Sequence, residues 1–402
     1  MDEFIGTVKS QDIPLDGFDK FISVMYIPRY HWFENKHQDE SFMPPQILCS
    51  SFYRALQDFP VIAGCYKTGK DGQGTVIVDR GNLNMPIYTD SDWDVDFKQI
   101  KDAGFNTGLL PETFDNARGL TSASRFGTKS AKLGIFHVRR LKHHSGVVIF
   151  ASIAHGIVDG YGHFAFMKRW AEISKLMHES PTENVPERVF SHDRSIHNDY
   201  RQEGTSSLDD MLVKLTSEGS NVITSENKPD DTLLTIPMDF RPRTNHPDGN
   251  DFVGNFLFAR YILFPQELAQ ADPDSEHVSA VATKVREAIS ATDKTYIGQL
   301  NHLINSEPDM SIRMNINFIK YKSVLSVTNF SRLGYYELDF GGGIPRMVHF
   351  APNSLLNIVE VMRCHPDIGG YKVTMSLAAG ITKLVSQNER WMKLVDSYHL
   401  DV

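Results

Sequence analysis

One segment constrains the fold of this chain more than any other: "GVVIFASIAHGIVDGYGHFAFMKRWAEIS", residues 146–174. Its first nine residues, 146–154, are almost all apolar, which predicts a buried strand. From Tyr161 the apolar residues recur at helical spacing, which predicts a helix. His155 and Asp159 lie between the two elements. A strand that passes directly into a helix is typical of α/β folds, and the loop between such elements commonly carries chemistry.

Strand-like and helix-like runs continue through both halves of the chain. The predicted strands are "GTVIVD" (74–79), "LGIFHVRRL" (133–141), "TLLTIPM" (232–238), "FLFARYILF" (256–264), "SIRMNINFI" (311–319), "SVLSVTNF" (323–330) and "YYELDF" (335–340). The predicted helices are residues 43–60, 207–215, 276–290 and 377–395. Four residues, "KHHS", separate the run 133–141 from the strand 146–154, so these two strands are expected to form a hairpin.

A chain of 402 residues is too long for one compact core and favours two domains. A polar stretch between residues 179 and 226 is rich in Ser, Asp, Asn and Pro and marks the crossover. We therefore predict an N-terminal domain over residues 1–190, a linker over 191–215 and a C-terminal domain over 216–402. Both domains are expected to be mixed α/β.

The net charge of −9 argues against a nucleic acid or a membrane surface as partner of the whole protein. No apolar run approaches the roughly 18–20 residues that span a bilayer, and the N-terminus lacks the pattern of a secretory signal. The expectation is a cytoplasmic protein without a membrane span.

His155 and Asp159 admit several interpretations. The simplest is a core histidine that hydrogen-bonds a nearby carboxylate. A metal site is disfavoured because two ligands are too few and no spaced Cys or third His accompanies them. A serine nucleophile is disfavoured because no G-x-S-x-G occurs. The remaining interpretation is a general base, since a neutral imidazole can take a proton from an attacking hydroxyl or amine. Glycines at 156, 160 and 162 would then give a substrate room to reach the ring.

The motif H-x-x-x-D-G at residues 155–160 resembles that of the BAHD acyltransferases, within the wider coenzyme A-dependent acyltransferase superfamily. Other segments resemble this family in the same order along the chain. They are "LCSSFYRALQDFPVIAGCY", "HGIVDGYGHFAFMKRWAEI", "MDFRPR", "DFVGNFLF", "TNFSRLGYYELDFGGGIP" and "VTMSLAAGITKLV". Together they cover nearly the whole chain.

The resemblance implies an α/β fold of chloramphenicol-acetyltransferase type, in which two similar-sized mixed-sheet domains enclose a channel. It implies acyl-CoA as co-substrate, no permanently bound cofactor, no metal, a small alcohol or amine as acceptor, and a monomer. His155 would be the general base. Asp159 would either orient the imidazole or hold the loop through Arg241, and we favour the second, with Arg243 as the weaker candidate partner. The Thr328 hydroxyl is the candidate donor to the oxyanion.

The resemblance also implies residues that support the site. These are Gly160, Arg241, Asn255, Asp339, Phe340, Gly341 and Gly343. Phe330 is assigned to the acceptor pocket. Two positions depart from the family pattern, because Phe330 and Gly342 stand where the family usually has Trp. His163, like His143 and His144, is expected in a turn or on the surface.

Two other hypotheses remain open on the sequence. One is a non-catalytic member of the fold that binds a small molecule or a partner protein. The other is a condensation-type enzyme that takes its acyl group from a carrier-protein thioester. The leading hypothesis is an enzyme of specialised metabolism that transfers an acetyl or longer acyl group to a small, apolar acceptor.

Overall fold

The computed structural model describes residues 1–20, 25–68, 74–106, 131–204, 231–245, 251–270, 274–306, 321–350 and 357–397. The strands are β1 (Gln11–Pro14), β2 (Tyr26–Glu34), β3 (Cys65–Thr68), β4 (Gly74–Val78), β5 (Ile87–Trp93), β6 (Gly134–Leu141), β7 (Gly146–Ala154), β8 (Thr232–Asp239), β9 (Leu257–Phe264), β10 (Ser323–Asn329), β11 (Met347–Phe350), β12 (Ile358–Arg363) and β13 (Tyr371–Ser376).

The helices alternate with these strands. They are α1 (Asp2–Thr7), α2 (Gly17–Lys20), α3 (Pro45–Asp58), α4 (Phe97–Asp102), α5 (Gly160–Glu179), α6 (Arg241–Thr244), α7 (Gln266–Gln270), α8 (Ser275–Ser290), α9 (Lys294–Ser306), α10 (Ala379–Gln387) and α11 (Glu389–Met392). Short 3-10 helices cover Pro60–Ala63, Lys142–His144, Arg194–Tyr200 and Tyr335–Glu337.

Two five-stranded sheets form the frame. The first has the order β11-β2-β7-β6-β5, and the second has the order β13-β12-β10-β8-β9. Both are mixed, because β5 runs parallel to β6 in the first sheet and β10 runs parallel to both β8 and β12 in the second. A small antiparallel sheet adds β1-β4-β3. The expected α/β architecture with two similar-sized mixed sheets is confirmed.

The first sheet owes its core to helices α3 and α5. Helix α3 begins at Pro45, where proline suits the first turn, and buries Leu48 and Phe52. Phe52 packs edge-to-face on Trp170 of α5, and the Trp170 indole donates to the Leu48 carbonyl over 3.1 Å. Each buried ring of this kind contributes roughly 1.5–3 kcal/mol by removal from water. This packing fixes α5, and with it the loop that precedes α5.

Strand β7 is buried along its whole length, as its apolar run predicts. It pairs with β6 as the expected hairpin and with β2 on its other side. Because β7 is fully paired and packed, its C-terminal end is held in a defined place, and His155 is the next residue.

The two halves of the chain interlock. Strand β11 lies late in the sequence but pairs with β2 at the edge of the first sheet. The 3-10 helix Arg194–Tyr200 packs Ile196 and Tyr200 into the core of the second sheet. Residues 205–215 of the predicted linker lie outside the described residues.

Two predictions of secondary structure are wrong. "YYELDF" is not a strand: it forms the 3-10 helix Tyr335–Glu337 and a turn, because Tyr335 and Tyr336 are both buried rather than alternating between two faces. The last predicted helix is divided at Asn388, whose side chain accepts from the Trp391 backbone and starts α11. The predicted helix at 207–215 and the predicted strand at 311–319 lie outside the described residues.

Candidate active site

His155 is the residue directly after β7. Its backbone N–H donates to the Met25 carbonyl over 2.7 Å, which anchors the loop beside the start of β2. The residue as a whole is half-buried, and its imidazole is shielded by protein.

Asn255 holds the imidazole in one orientation. The Asn255 Nδ2 donates to the Asp19 carboxylate over 2.8 Å and to the His155 carbonyl over 2.7 Å. Since both partners are acceptors, the amide oxygen must point the other way, and it lies 3.2 Å from His155 Nδ1. The hydrogen-bond network therefore assigns the proton to Nδ1 and leaves the lone pair on Nε2.

The surroundings also keep this ring uncharged. Burial lowers the pKa of His155 below its ordinary value of 6.5, and this outweighs the opposing effects of its own carbonyl, Asp159 and Asn255. A neutral imidazole with a free Nε2 can accept a proton at physiological pH.

Asp159 is fully buried and faces an arginine. Arg241 Nη1 donates to Asp159 Oδ2 over 2.7 Å, and both side chains are 1% exposed. The pairing with Arg241, rather than with Arg243, is the one expected from the sequence. Arg243 instead donates to the carbonyls of Ile289 and Thr292.

The remaining contacts of Asp159 are with backbone. Its Oδ1 accepts from Gly162 N–H over 2.9 Å and so caps the N-terminus of α5. Its Oδ2 also accepts from Phe256 N–H over 3.1 Å. None of these described contacts reaches the His155 ring. The carboxylate ties the loop 155–159 to α5 and to the second half of the chain.

Arg241 distributes its donors over the same region. It donates to the carbonyls of Phe252 and Gly254 and to the Asp239 carboxylate, in addition to Asp159. A buried guanidinium with this many acceptors is fully compensated.

Asp19 and Arg194 belong to the site although the sequence analysis did not find them. Asp19 is 0% exposed, accepts from Arg194 Nε over 3.0 Å and holds Asn255 through the bond described above. Arg194 Nη2 also donates to the Ile157 carbonyl within the loop. The buried pair therefore fixes both the amide of Asn255 and the loop that carries His155.

Gly160 of the motif and Gly162 just after it are needed for packing, which corrects the expectation that they leave space for substrate. A Cβ on Gly160 would lie 2.7 Å from the Phe330 ring, and a Cβ on Gly162 would lie 2.1 Å from the Val253 carbonyl oxygen. The space beside these two glycines is thus taken by protein. Gly160 brings Phe330 against the loop.

Thr328 and Phe330 lie at the end of β10, in the second sheet. Thr328 is half-buried, and no group among the described residues hydrogen-bonds to its hydroxyl. Phe330 is anchored by its backbone N–H, which donates to the Val361 carbonyl over 2.8 Å. Phe330 is thus brought to the motif by direct contact, and Thr328 lies two residues before it on the same strand.

The turn at Asp339–Gly343 lies against the far end of α5. Asp339 accepts from the N–H groups of Gly341 and Gly343 and from Lys175 Nζ over 2.7 Å. Burial alone would raise the pKa of Asp339, but these hydrogen bonds hold it below its ordinary value. Gly341 and Gly343 adopt φ of +95° and +91°, which favours glycine.

Phe340 is fully buried between Phe33 and Trp170. Lys175 lies fifteen residues beyond Gly160 on α5, so this turn is about 22 Å along the helix from the start of α5. It shapes the packing of α5 rather than the surroundings of the His155 ring.

His163 is not a surface residue, contrary to the expectation from the sequence. It is 0% exposed on α5, and its Nδ1 lies 3.4 Å from the Tyr335 hydroxyl. Burial, and after it the charge of Arg29, holds the pKa of His163 well below its ordinary value. His143 and His144 are exposed, as expected.

Two surface clefts lie away from His155. One, of about 470 Å³, is lined by Arg140, Lys142 and neighbours, and another, of about 500 Å³, is lined by Gln11, Arg188 and neighbours. His155 lines neither cleft. Within the described ranges no group of three His, Cys, Asp or Glu side chains is placed to hold a metal ion. No helix in the described part of the chain is long and apolar enough to cross a bilayer.

The fold and site define a protein of the coenzyme A-dependent acyltransferase superfamily type, with two mixed sheets and an H-x-x-x-D-G loop between them. The sequence model described as the Transferase family matches residues 6–204 and 212–389, and the chain belongs to this family, that of the BAHD acyltransferases.

Known proteins resemble the chain at low identity. Akuammiline synthase 2 of Alstonia scholaris is 22% identical over 297 residues, and the alignment covers 62% of each chain. O-acetyltransferase pyr7 of Aspergillus fumigatus is 32% identical over 132 residues, which is 29% of this chain and 24% of that protein. The chain thus spans less than two thirds of the length of these relatives.

Among solved structures, F. sporotrichioides TRI101 complexed with coenzyme A and T-2 superposes with a TM-score of 0.64 at 16% identity. The superposition covers 95% of this chain and 98% of that one. At this identity the likeness establishes the shared two-domain fold.

Proposed function

We propose that this protein transfers an acyl group from acyl-CoA to a hydroxyl or amine of a small molecule, with His155 as the general base. The observation that carries the proposal is the contact between Asn255 Oδ1 and His155 Nδ1, since it leaves Nε2 as the basic atom. The position of His155 directly after the buried strand β7 supports the proposal, because the strand holds the residue in a defined place.

The comparisons support the acyl donor. TRI101, which shares the fold, is described in complex with coenzyme A, and pyr7 is named an O-acetyltransferase. In the proposed arrangement, acyl-CoA and acceptor enter a channel between the two domains and meet at His155. The protein is proposed to act as a cytoplasmic monomer.

The chemistry requires one proton acceptor that later becomes a donor. Nε2 of His155 takes the proton of the acceptor hydroxyl or amine as its oxygen or nitrogen attacks the thioester carbonyl. The tetrahedral intermediate then collapses, the carbon–sulfur bond breaks, and the imidazolium returns its proton to the leaving thiolate. The products are the ester or amide and free coenzyme A. Base catalysis of this kind contributes about 10²–10⁴ in rate.

The other residues have supporting roles in this proposal. Asp159 and Arg241 hold the loop, and Asn255 holds the tautomer. The Thr328 hydroxyl, which is free of other hydrogen bonds among the described residues, donates to the oxyanion. Loss of one such donor typically costs about 2.7–4 kcal/mol of transition-state stabilisation.

The test is to incubate the protein with acetyl-CoA and a panel of alcohols and amines while measuring free thiol. Thiol release that depends on the acceptor, together with the acylated product by mass spectrometry, supports the proposal. No thiol release with any donor or acceptor would favour a non-catalytic binding protein. Transfer from an acylated carrier protein but not from free acyl-CoA would favour the condensation-type enzyme.

A further inference from the structure

Arg29 is a buried cation to which the described residues offer no ionic partner. It lies in the middle of β2, is 0% exposed, and its Nε and Nη2 have no hydrogen-bond partner in the part of the chain that the structure describes. Nη1 has a long contact of 4.0 Å to the Met362 sulfur. Arg241 and Arg194 show what a structural buried arginine looks like in this protein, since each is bonded to a buried carboxylate. A buried charge without a carboxylate partner is costly, so Arg29 is arranged for a group that binds it.

Three aromatic rings frame the guanidinium. Its Cζ lies 3.6 Å from the centroid of Phe350, 4.3 Å from that of Phe330 and 4.5 Å from that of Tyr335. These rings cover the guanidinium and leave its Nε and Nη2 donors unused. The groups that contact the guanidinium plane are therefore aromatic, and Arg29 is the cation among them with unused donors.

Glu360 is a carboxyl group that Arg29 affects electrostatically, but it does not neutralise Arg29. Glu360 of β12 is 7% exposed, its Oε2 has no hydrogen-bond partner, and the described residues place no carboxylate within ion-pair distance of Arg29. Burial raises the pKa of Glu360 to about 8, although Arg29 and Lys372 oppose the shift. Glu360 is thus largely protonated at neutral pH.

The Arg29 site adjoins the candidate active site. The Phe330 ring that lies beside Arg29 also contacts the backbone of Gly160, next to Asp159. Met25, the residue before β2, accepts the backbone hydrogen bond of His155, and Arg29 is four residues further along the chain. At the rise of an extended strand this corresponds to about 13 Å.

We propose that Arg29 binds a carboxylate on the acceptor, so that the acceptor is a hydroxy acid or amino acid with an apolar stem. The carboxylate lies on the order of 10 Å from the nucleophilic oxygen or nitrogen, as the strand spacing requires. The stem packs on Phe330, Phe350 and Tyr335, and the two unused guanidinium donors take the carboxylate oxygens. This inference rests on the proposed function, because it names the acceptor class of the same site.

The experiment compares acids with their methyl esters. Acetyl transfer to 8-hydroxyoctanoate, 10-hydroxydecanoate and 3-(4-hydroxyphenyl)propionate is measured beside transfer to the corresponding methyl esters. The wild type is expected to prefer at least one acid by about 10–100-fold in kcat/KM, the usual range for hydrogen bonds to a charged group. R29M is expected to lose that preference and R29K to retain part of it. Equal use of acid and ester by the wild type would overturn the inference and leave the proposed function standing.

A binding measurement separates the two proposals if no acceptor is acetylated. Decanoate is expected to raise the thermal midpoint of the wild type and methyl decanoate is not, and the shift disappears in R29M. A shift that R29M retains, or no shift in the wild type, overturns the inference. R260M is the matched control, because Arg260 on β9 also has an Nε without a hydrogen-bond partner among the described residues and stacks on Tyr296 of α9. R260M should keep both the preference and the shift.

Discussion

The amide oxygen of Asn255 lies 3.2 Å from Nδ1 of His155, although one hundred residues separate them in sequence. Asn255 lies just before β9 in the second half of the chain, and His155 lies just after β7 in the first half. Because Asn255 is itself held by Asp19, the state of the ring depends on how the two halves are assembled. The chemical competence of His155 is therefore a property of the folded chain rather than of the motif alone.

Replacement of Asn255 by alanine should remove the group that fixes the tautomer of His155. N255A is expected to lower kcat/KM by roughly tenfold or more, since the ring loses the acceptor that fixes its Nδ1 proton. Heteronuclear NMR at pH 8 should show one tautomer of His155 in the wild type and a mixture in the variant. N301A is the control, because Asn301 is equally buried but donates to the His197 carbonyl and not to His155. If N255A keeps a single tautomer and full turnover, the positioning role of Asn255 is wrong.

The pH dependence of turnover should reflect the buried ring. Burial lowers the pKa of His155, so the neutral form persists below its ordinary value of 6.5. The acid limb of kcat/KM for the wild type is therefore expected to have an apparent pKa below 6.5. Rates measured from pH 4.5 to 9 in buffers of constant ionic strength test this. An acid limb centred at 6.5 or above would contradict it.

Asp159 should matter for stability as well as for turnover. D159A leaves Arg241 buried beside only the half-exposed Asp239, so the free energy of unfolding should fall by about 3–5 kcal/mol. D239N removes the other partner of the same arginine, whose side chain is 42% exposed, and should cost about 1 kcal/mol or less. Urea denaturation of the two variants measures the difference. A D159A protein that unfolds like the wild type but has lost turnover would assign Asp159 to orientation of the imidazole.

Acid should destabilise the fold through its buried histidines. Burial lowers the pKa of His31 to about 3 and those of His137 and His192 to about 4. Between pH 6.5 and about 4 the unfolded chain thus binds more protons than the folded one, and the free energy of unfolding falls as pH falls. Glu360 has the opposite effect, because burial raises its pKa to about 8. In this window its folded form therefore binds up to one proton more than its unfolded form.

The net effect is therefore a loss of stability on acidification through this window, and urea denaturation between pH 7 and 4.5 measures it. A flat or opposite dependence would show that these rings are not buried in the neutral form.

Local patterns in the sequence predict the frame well. The largely apolar run of β7 and the proline-flanked repeat of α3 each contain their own signal, and the structure forms both elements within a residue or two of the prediction. The pairing of Asp159 with Arg241 also follows from the sequence, but through the resemblance to a family rather than through any local pattern. "YYELDF" fails because burial of two successive tyrosines by tertiary packing overrides the alternation of a strand.

Residues that act through contacts distant in sequence are not predicted by local patterns. Asp19 accepts a hydrogen bond from Asn255, which lies 236 positions away in sequence, and no pattern near Asp19 predicts that contact. Arg29 and His31 do leave a signal, because they are two charged or polar residues on the same face of the otherwise apolar run of β2. His163 could also have been placed correctly, since it lies three residues before Phe166 and seven before Trp170, on the buried face of α5.

The role of the imidazole is tested most directly by single-turnover transfer from acetyl-CoA with the wild type and H155A, followed through free thiol and acylated acceptor. H155A is expected to fold with an unchanged thermal midpoint, to within a few degrees, and to transfer the acyl group about 10²–10⁴ times more slowly. Transfer by H155A within threefold of the wild-type rate would contradict this expectation.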